Sequence, residues 1–247
     1  MKKIVYTLIA LTVIVACKDH DKEKSTAAGQ TNTSEKSAGS QEDNWMYLFD
    51  GTSVDGWRGY NEKTLPEGWV IEEGMLKSLG RGGDIGGDIV YGKEEFGEFE
   101  LSLEWKIAAG GNSGIFYHVL EGGKYKAPYN NAPEYQVIDQ IGFPQKLEPW
   151  QSIGADYGMY APDFEGAVKK AGEWNTSRIV FTNEKVSYFL NGKKTVEYVP
   201  WSEDWTKRKE EGKWKDYPDY GIAKKGLIGL QDHGSYIWYK NIKIKKL

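Results

Sequence analysis

Three short segments place polar, proton-exchanging side chains in stretches that otherwise read as buried strand. They are Asn112-Ser113-Gly114-Ile115-Phe116-Tyr117-His118, Glu134-Tyr135-Gln136-Val137-Ile138-Asp139 and Leu230-Gln231-Asp232-His233-Gly234. Imidazole and carboxylate trade protons near neutral pH, so general acid–base chemistry is the first expectation. Apart from His20 near the N-terminus, the histidines are His118 and His233, and both fall in these segments. Glu134 lies in an apolar strand, where an unpaired buried carboxylate is costly; it is either paired structurally or held for use. A divalent metal bound by some of His118, Glu134 and His233 would be another use of the same groups, although no tight ligand spacing marks one.

These groups must be positioned by strands. Side chains alternate across a strand, so Asn112, Phe116 and His118 share one face and Ser113, Ile115 and Tyr117 the other. Glu134 and Gln136 share a face, with Asp139 opposite unless a bulge or strand end rotates it; Gln231 and His233 share a face. Period-2 alternation recurs along the chain and helical periodicity is scarce. It predicts strands over 45–49, 69–72, 75–78, 89–91, 96–107, 114–120, 134–138, 174–182, 185–190, 194–198, 227–230 and 237–245. Glu73-Gly74, Asn183-Glu184 and Asn191-Gly192 supply hairpin turns. A dozen strands without a βαβ rhythm predict an all-β, two-sheet jelly-roll sandwich. The segment 200–220 breaks the pattern with Trp201, Trp205 and Trp214 among many Lys and Glu, and reads as a surface excursion with a short helix around 206–213.

The ends and the composition bound the rest. Lys2 and Lys3 precede an apolar run, 4–16, too short to span a bilayer comfortably, and Ile14-Val15-Ala16-Cys17 has the pattern of a bacterial lipobox. A lipoprotein signal peptide over 1–16 and acylation of Cys17 are expected, which would tether the protein to a membrane of the cell envelope, facing the periplasm or the cell surface. Cys17 is the single cysteine, so no disulfide staples the fold. Residues 18–43 contain no aromatic, Leu, Ile or Val, and read as a flexible linker between the acylated cysteine and one domain over 45–247. The net charge of −4, without a basic stripe, makes nucleic acid an unsuitable partner. The 30 Gly, 10 Trp and 16 Tyr suit tight turns, strands and the stacking of pyranose rings.

Across this domain the sequence resembles the 3-keto-disaccharide hydrolase family. The resemblance is carried by Leu48-Phe49-Asp50-Gly51 with Gly56-Trp57, by Phe99-Glu100-Leu101 through Trp105-Lys106, and by Asn112-Ser113-Gly114-Ile115-Phe116. It continues through Glu134-Tyr135-Gln136-Val137, Gly172-Glu173-Trp174-Asn175, Leu190-Asn191-Gly192, and Gly229-Leu230-Gln231-Asp232-His233-Gly234 with Asn241-Ile242. Two positions depart from the family's pattern: His118, where Arg is common, and Gln140, where a second acidic residue is common. The resemblance implies a concanavalin-A-like lectin/glucanase jelly roll that cleaves glycosides already oxidised to a ketone at C3. A sugar-oxidising enzyme of the same pathway would then be an expected partner.

A C3 ketone acidifies the C2 proton, so a base can form an enolate and the C1 substituent can leave by elimination. Water then adds, and the net result is hydrolysis. On this reading Glu134 or His233 is the base, His118 and Gln136 bind or polarise O3, Asp139 and Gln231 orient the ring or a histidine, and Asn112 and Tyr117 join the substrate contacts; a metal, if bound, would stabilise the enolate. Two rivals share the fold. A non-catalytic carbohydrate-binding module would use aromatic platforms alone. An endo-glucanase of this fold needs acidic residues on alternate positions of one strand, whereas this strand offers Glu134 and Asp139 on opposite faces.

Overall fold

A computed structural model describes residues 44–82 and 87–247. The expected leader, Cys17 and the linker to residue 43 lie outside the described residues. The described strands are β1 Met46–Phe49, β2 Trp57–Gly59, β3 Trp69–Glu72, β4 Met75–Leu79, β5 Ile89–Tyr91, β6 Phe99–Ile107, β7 Asn112–Val119, β8 Glu134–Ile138, β9 Asn175–Phe181, β10 Val186–Leu190, β11 Lys193–Tyr198, β12 Leu227–Leu230 and β13 Tyr236–Lys246. Of these, β2 was not among the expected strands. All pair antiparallel: an eight-stranded sheet runs β11-β10-β9-β6-β13-β4-β3, with β1 also on β13, and a five-stranded sheet runs β2-β5-β12-β7-β8. Both central residues of the Glu73-Gly74 and Asn191-Gly192 hairpins take positive φ, the twist that suits two-residue turns.

The two sheets differ in how they are covered. Strand β6 of the large sheet alternates strictly, burying Phe99, Leu101, Leu103 and Trp105 and leaving Glu100, Ser102, Glu104 and Lys106 half-buried. Its inner face packs on Ile115, Tyr117, Tyr135, Val137 and Leu230 of the small sheet. Each such side chain contributes about 1.5–3 kcal/mol by leaving water. Strands β8 and β12 are buried throughout, and β7 nearly so. The small sheet must therefore be covered on its outer face as well, by chain that is not strand.

Part of that cover is the excursion 200–220, which lies on the surface as expected but turns Trp205, Trp214 and Tyr220 inward. A helix, α1 (Glu203–Glu211), starts at Ser202, whose Oγ accepts the Trp205 amide at 3.2 Å. Acidic residues in its first turn and basic ones in its last suit the helix dipole. Trp205 and Trp214 are buried, and Trp201 Nε1 donates to the Gly221 carbonyl at 2.8 Å, so the tryptophans pin the segment back.

Candidate active site

Between the small sheet and its cover lies a cleft with about 570 Å³ of empty space, lined by Asn112, Tyr129, Glu134, Gln136, Tyr157, Lys213, Trp214, Tyr217, Gln231 and His233. Its floor is the sheet. Gln136 stands opposite Gly114 in the β7–β8 register, and Glu134 opposite Phe116. The glycine is required: a Cβ at Gly114 would come within 2.2 Å of Glu134 Oε1, because that side chain lies across the neighbouring strand. Gln231 is registered against the same residue, its amide donating to the Gly114 carbonyl at 2.9 Å. Three amide groups on this floor hold buried acceptors with no hydrogen-bond partner: Asn112 Oδ1, Gln136 Oε1 and Gln231 Oε1. The Gln136 amide is fixed from its other end, where Nε2 donates to the Gln151 carbonyl at 3.1 Å. Buried acceptors left open are costly, and a polyhydroxylated ring supplies the donors they lack.

Glu134 is 4 % exposed. Burial pushes its carboxyl well above the usual range; Asp88 and Asp156 add to the rise, and Lys213 opposes it. Asp88 is itself buried and pushed up to about 7 by desolvation, although its carboxylate accepts the Asp232 amide at 2.9 Å. That bond ties β5 to the loop carrying His233. Asp232 locks the same loop by accepting the Gly82 amide at 2.8 Å and the Gly234 amide at 3.1 Å. His233 is half-buried at the cleft wall.

The opposite wall is aromatic. Trp214 donates through Nε1 to the Tyr157 carbonyl at 3.0 Å and stacks on buried Tyr220, with ring centroids 4.1 Å apart. Tyr217 meets Trp214 edge-on at 5.4 Å and Tyr129 at 6.3 Å. The Lys213 ammonium lies 5.1 Å from the Tyr157 ring and 5.3 Å from the Trp214 ring, close enough for cation–π attraction.

The cleft thus gathers Asn112, Glu134, Gln136, Gln231 and His233, and leaves out three residues that the sequence singled out. His118 lies in the core. Alternation would put it beside Asn112, but β7 bulges there: Val119 pairs with Leu227 and Phe116 with Gly229, three residues against two. His118 takes a φ of +54 at the bulge, and its ring turns inward to within 4.4 Å of Phe181 while Nε2 donates to the Gly97 carbonyl at 2.9 Å. Gly226 makes room, since a Cβ there would strike the His118 backbone. Desolvation lowers the imidazole to about 4, so it is neutral at physiological pH. Tyr117 faces the same interior, its hydroxyl 2.8 Å from that of Tyr188 and 3.0 Å from that of Tyr198. Asp139 falls on the face opposite Glu134 and is committed to backbone: it accepts the amides of Gly110, Ile141 and Gly142 at 2.8, 3.2 and 3.0 Å.

With His118 in the core, the trio His118, Glu134 and His233 does not assemble. Among the described residues no three His, Cys, Asp or Glu side chains are placed to hold a metal ion. Sequence reasoning missed Tyr129, Tyr157, Lys213, Trp214, Tyr217 and Asp88. The density of tryptophan in 200–220 was the available signal for that wall; Asp88, just before a three-residue strand, carries none.

Residues 44–245 match a family described as the 3-keto-alpha-glucoside-1,2-lyase-like domain. The chain belongs to this family. A 3-keto-disaccharide hydrolase of Bacteroides thetaiotaomicron is 33 % identical over 204 residues, spanning 72 % of this chain and 70 % of the relative. A crystal structure of a candidate glycosyl hydrolase from Parabacteroides distasonis is 40 % identical with a TM-score of 0.77, over 83 % of this chain and 94 % of that one. A second from the same organism is 29 % identical with a TM-score of 0.61, over 82 % and 99 %. Membership makes the protein a glycoside-cleaving enzyme of the hydrolase type on a jelly-roll sandwich.

Proposed function

We propose that the cleft cleaves glycosides carrying a ketone at C3, by elimination followed by hydration. One observation carries this reading: a buried carboxyl whose ionisation is opposed by burial and a histidine line one aromatic-walled cleft whose floor offers unpaired amide oxygens. The glycosidases that work by oxocarbenium chemistry need one of two carboxyls ionised. Here burial and Asp88 oppose ionisation of Glu134.

The His233 imidazole takes the C2 proton, and the C2–H electron pair becomes the enolate of the C3 ketone. Lys213 supplies the positive charge nearest this cleft for the developing O3 anion. The enolate pair then forms the C1–C2 double bond and expels the C1 oxygen, which takes the proton of Glu134. Ionised Glu134 next removes a proton from water as its oxygen adds at C1, and protonated His233 returns its proton to C2. Both groups end as they began, and the sum is hydrolysis. Asn112, Gln136 and Gln231 accept hydrogen bonds from ring hydroxyls, while Trp214, Tyr217 and Tyr129 cover the ring and exclude bulk water.

The test compares a 3-keto-glucoside with its parent glucoside, in light and heavy water. Cleavage of the ketone alone is expected, with one deuterium at C2 of product sampled before spontaneous exchange. Equal rates on the two substrates would sink the elimination route.

A further inference from the structure

A second groove adjoins the cleft. It holds about 1180 Å³ of empty space and is lined by Trp150, Gly158, Met159, Asp204, Lys207, Arg208, Glu211, Gly212 and Lys213. Lys213 lines both spaces, and its ammonium sits 5.7 Å from the Trp150 ring, on the groove side, as well as beside Tyr157 and Trp214 on the cleft side. The two spaces therefore meet at this side chain.

The junction is built tightly. Gly158 has a φ of +76, and a Cβ there would come within 2.7 Å of Trp214 Nε1 and 2.9 Å of Lys213 Cδ. Only glycine lets both side chains pack at the boundary. Trp150 is half-buried; its carbonyl accepts the Gly158 amide at 3.3 Å and its ring meets Tyr157 edge-on at 5.3 Å. Such an indole is a fixed platform with little entropy left to lose on binding. Arg208 is already engaged, by Asp204 at 2.9 Å and by the Met159 carbonyl at 3.2 Å. The rim thus mixes a paired acid and base with Lys207 and Glu211, which suits a neutral polyhydroxylated ring better than an anionic one.

We propose that this groove is the leaving-group subsite: it takes a second pyranose ring, attached at C1 of the ring in the cleft, with Trp150 as its stacking platform and Lys213 beneath the bond to be cut. This rests on the reading of the cleft given above. A glycosidic oxygen within reach of Glu134 needs room for its substituent, and the groove that shares Lys213 with the cleft supplies it. The occupant is a sugar ring because its apolar C–H face suits an indole and its hydroxyls suit the mixed rim.

The experiment measures kcat/KM for a 3-keto-disaccharide and for methyl 3-keto-glucoside, which has no second ring, in the native protein, Trp150→Ala and Trp150→Phe. Trp150→Ala should lose about tenfold on the disaccharide, through KM, with the methyl glycoside unchanged; Trp150→Phe should recover most of the loss. Unchanged methyl-glycoside turnover also shows that the variant is folded. The same loss on both substrates, or no loss on the disaccharide, overturns the subsite. Should the native protein turn over neither compound, the cleavage reading fails by itself. Calorimetric titration of the disaccharide into native protein and Trp150→Ala then decides the subsite, and equal affinities refute it.

Discussion

Two buried carboxylates sit almost back to back on the small sheet and meet opposite fates. Glu134 is on β8; Asp156 is on the segment that pairs alongside it, bridged to Tyr135. Glu134 opens on the cleft. Asp156 points into the sandwich interior, near the hydroxyls of Tyr117, Tyr188, Tyr198 and Tyr220. Burial pushes Asp156 up to about 7, and Tyr198 and Tyr220 temper the rise. Desolvation is therefore the largest perturbation of both carboxyls. What separates a candidate catalyst from a structural liability here is access: Glu134 faces a space with open acceptors and a histidine, whereas Asp156 faces four phenols.

The comparison breaks most sharply at Glu134. Replacing it with Gln keeps its shape and removes its proton exchange, so kcat/KM on a 3-keto-glycoside should fall about 10²–10⁴-fold. The same variant should unfold at a higher temperature than the native protein near neutral pH, since Gln has no ionised form to keep out of the interior. Full activity would remove Glu134 from the chemistry, and the contrast with Asp156 would collapse.

Asp156→Asn should show the mirror result. Its carboxyl has an ordinary value of 3.8 and a folded value of about 7. Between these the unfolded chain ionises while the folded one must stay protonated, so the native protein loses stability as pH rises from about 4 to about 7 and the loss is complete above that. Asn carries no such penalty. The variant should match the native protein near pH 4 and exceed it by a few kcal/mol in denaturant unfolding at pH 8, with kcat/KM changed less than about threefold. Parallel stability curves across that window would show that Asp156 is not desolvated as the fold implies. A large loss of activity would mean that the tyrosine cluster feeds the cleft.

How much of this was legible follows the same division. The sheets were, because β6 alternates without a fault and glycine turns mark its neighbours. The floor of the cleft was too: Asn112, Glu134 and Gln136 are polar residues in strands with no other reason to be polar, and Gln231 and His233 directly follow one. Its wall was not. Tyr129, Tyr157, Lys213, Trp214 and Tyr217 come from irregular chain, and no periodicity says which way such residues face. The setting of Asp139 was not legible either, because a carboxylate at a strand end looks the same whether it meets a substrate or three backbone amides.

His118 tests the smallest and most local step, the bulge that separates core from cleft. Asn tolerates the left-handed backbone there but cannot fill the space of the ring against Phe99, Phe181 and Tyr117. His118→Asn should therefore cost about 1–2 kcal/mol of stability at pH 8 and leave kcat/KM within about twofold. The deficit should shrink in acid. The native imidazole is held at about 4 against an ordinary 6.5, so the folded protein refuses a proton that the unfolded chain accepts, and native stability falls as pH drops from about 6.5 to about 4. Asn has no proton to refuse, and the two stability curves should converge across that range. A variant that keeps its stability but loses turnover would return His118 to the cleft and strike out the bulge as the boundary between the two regions.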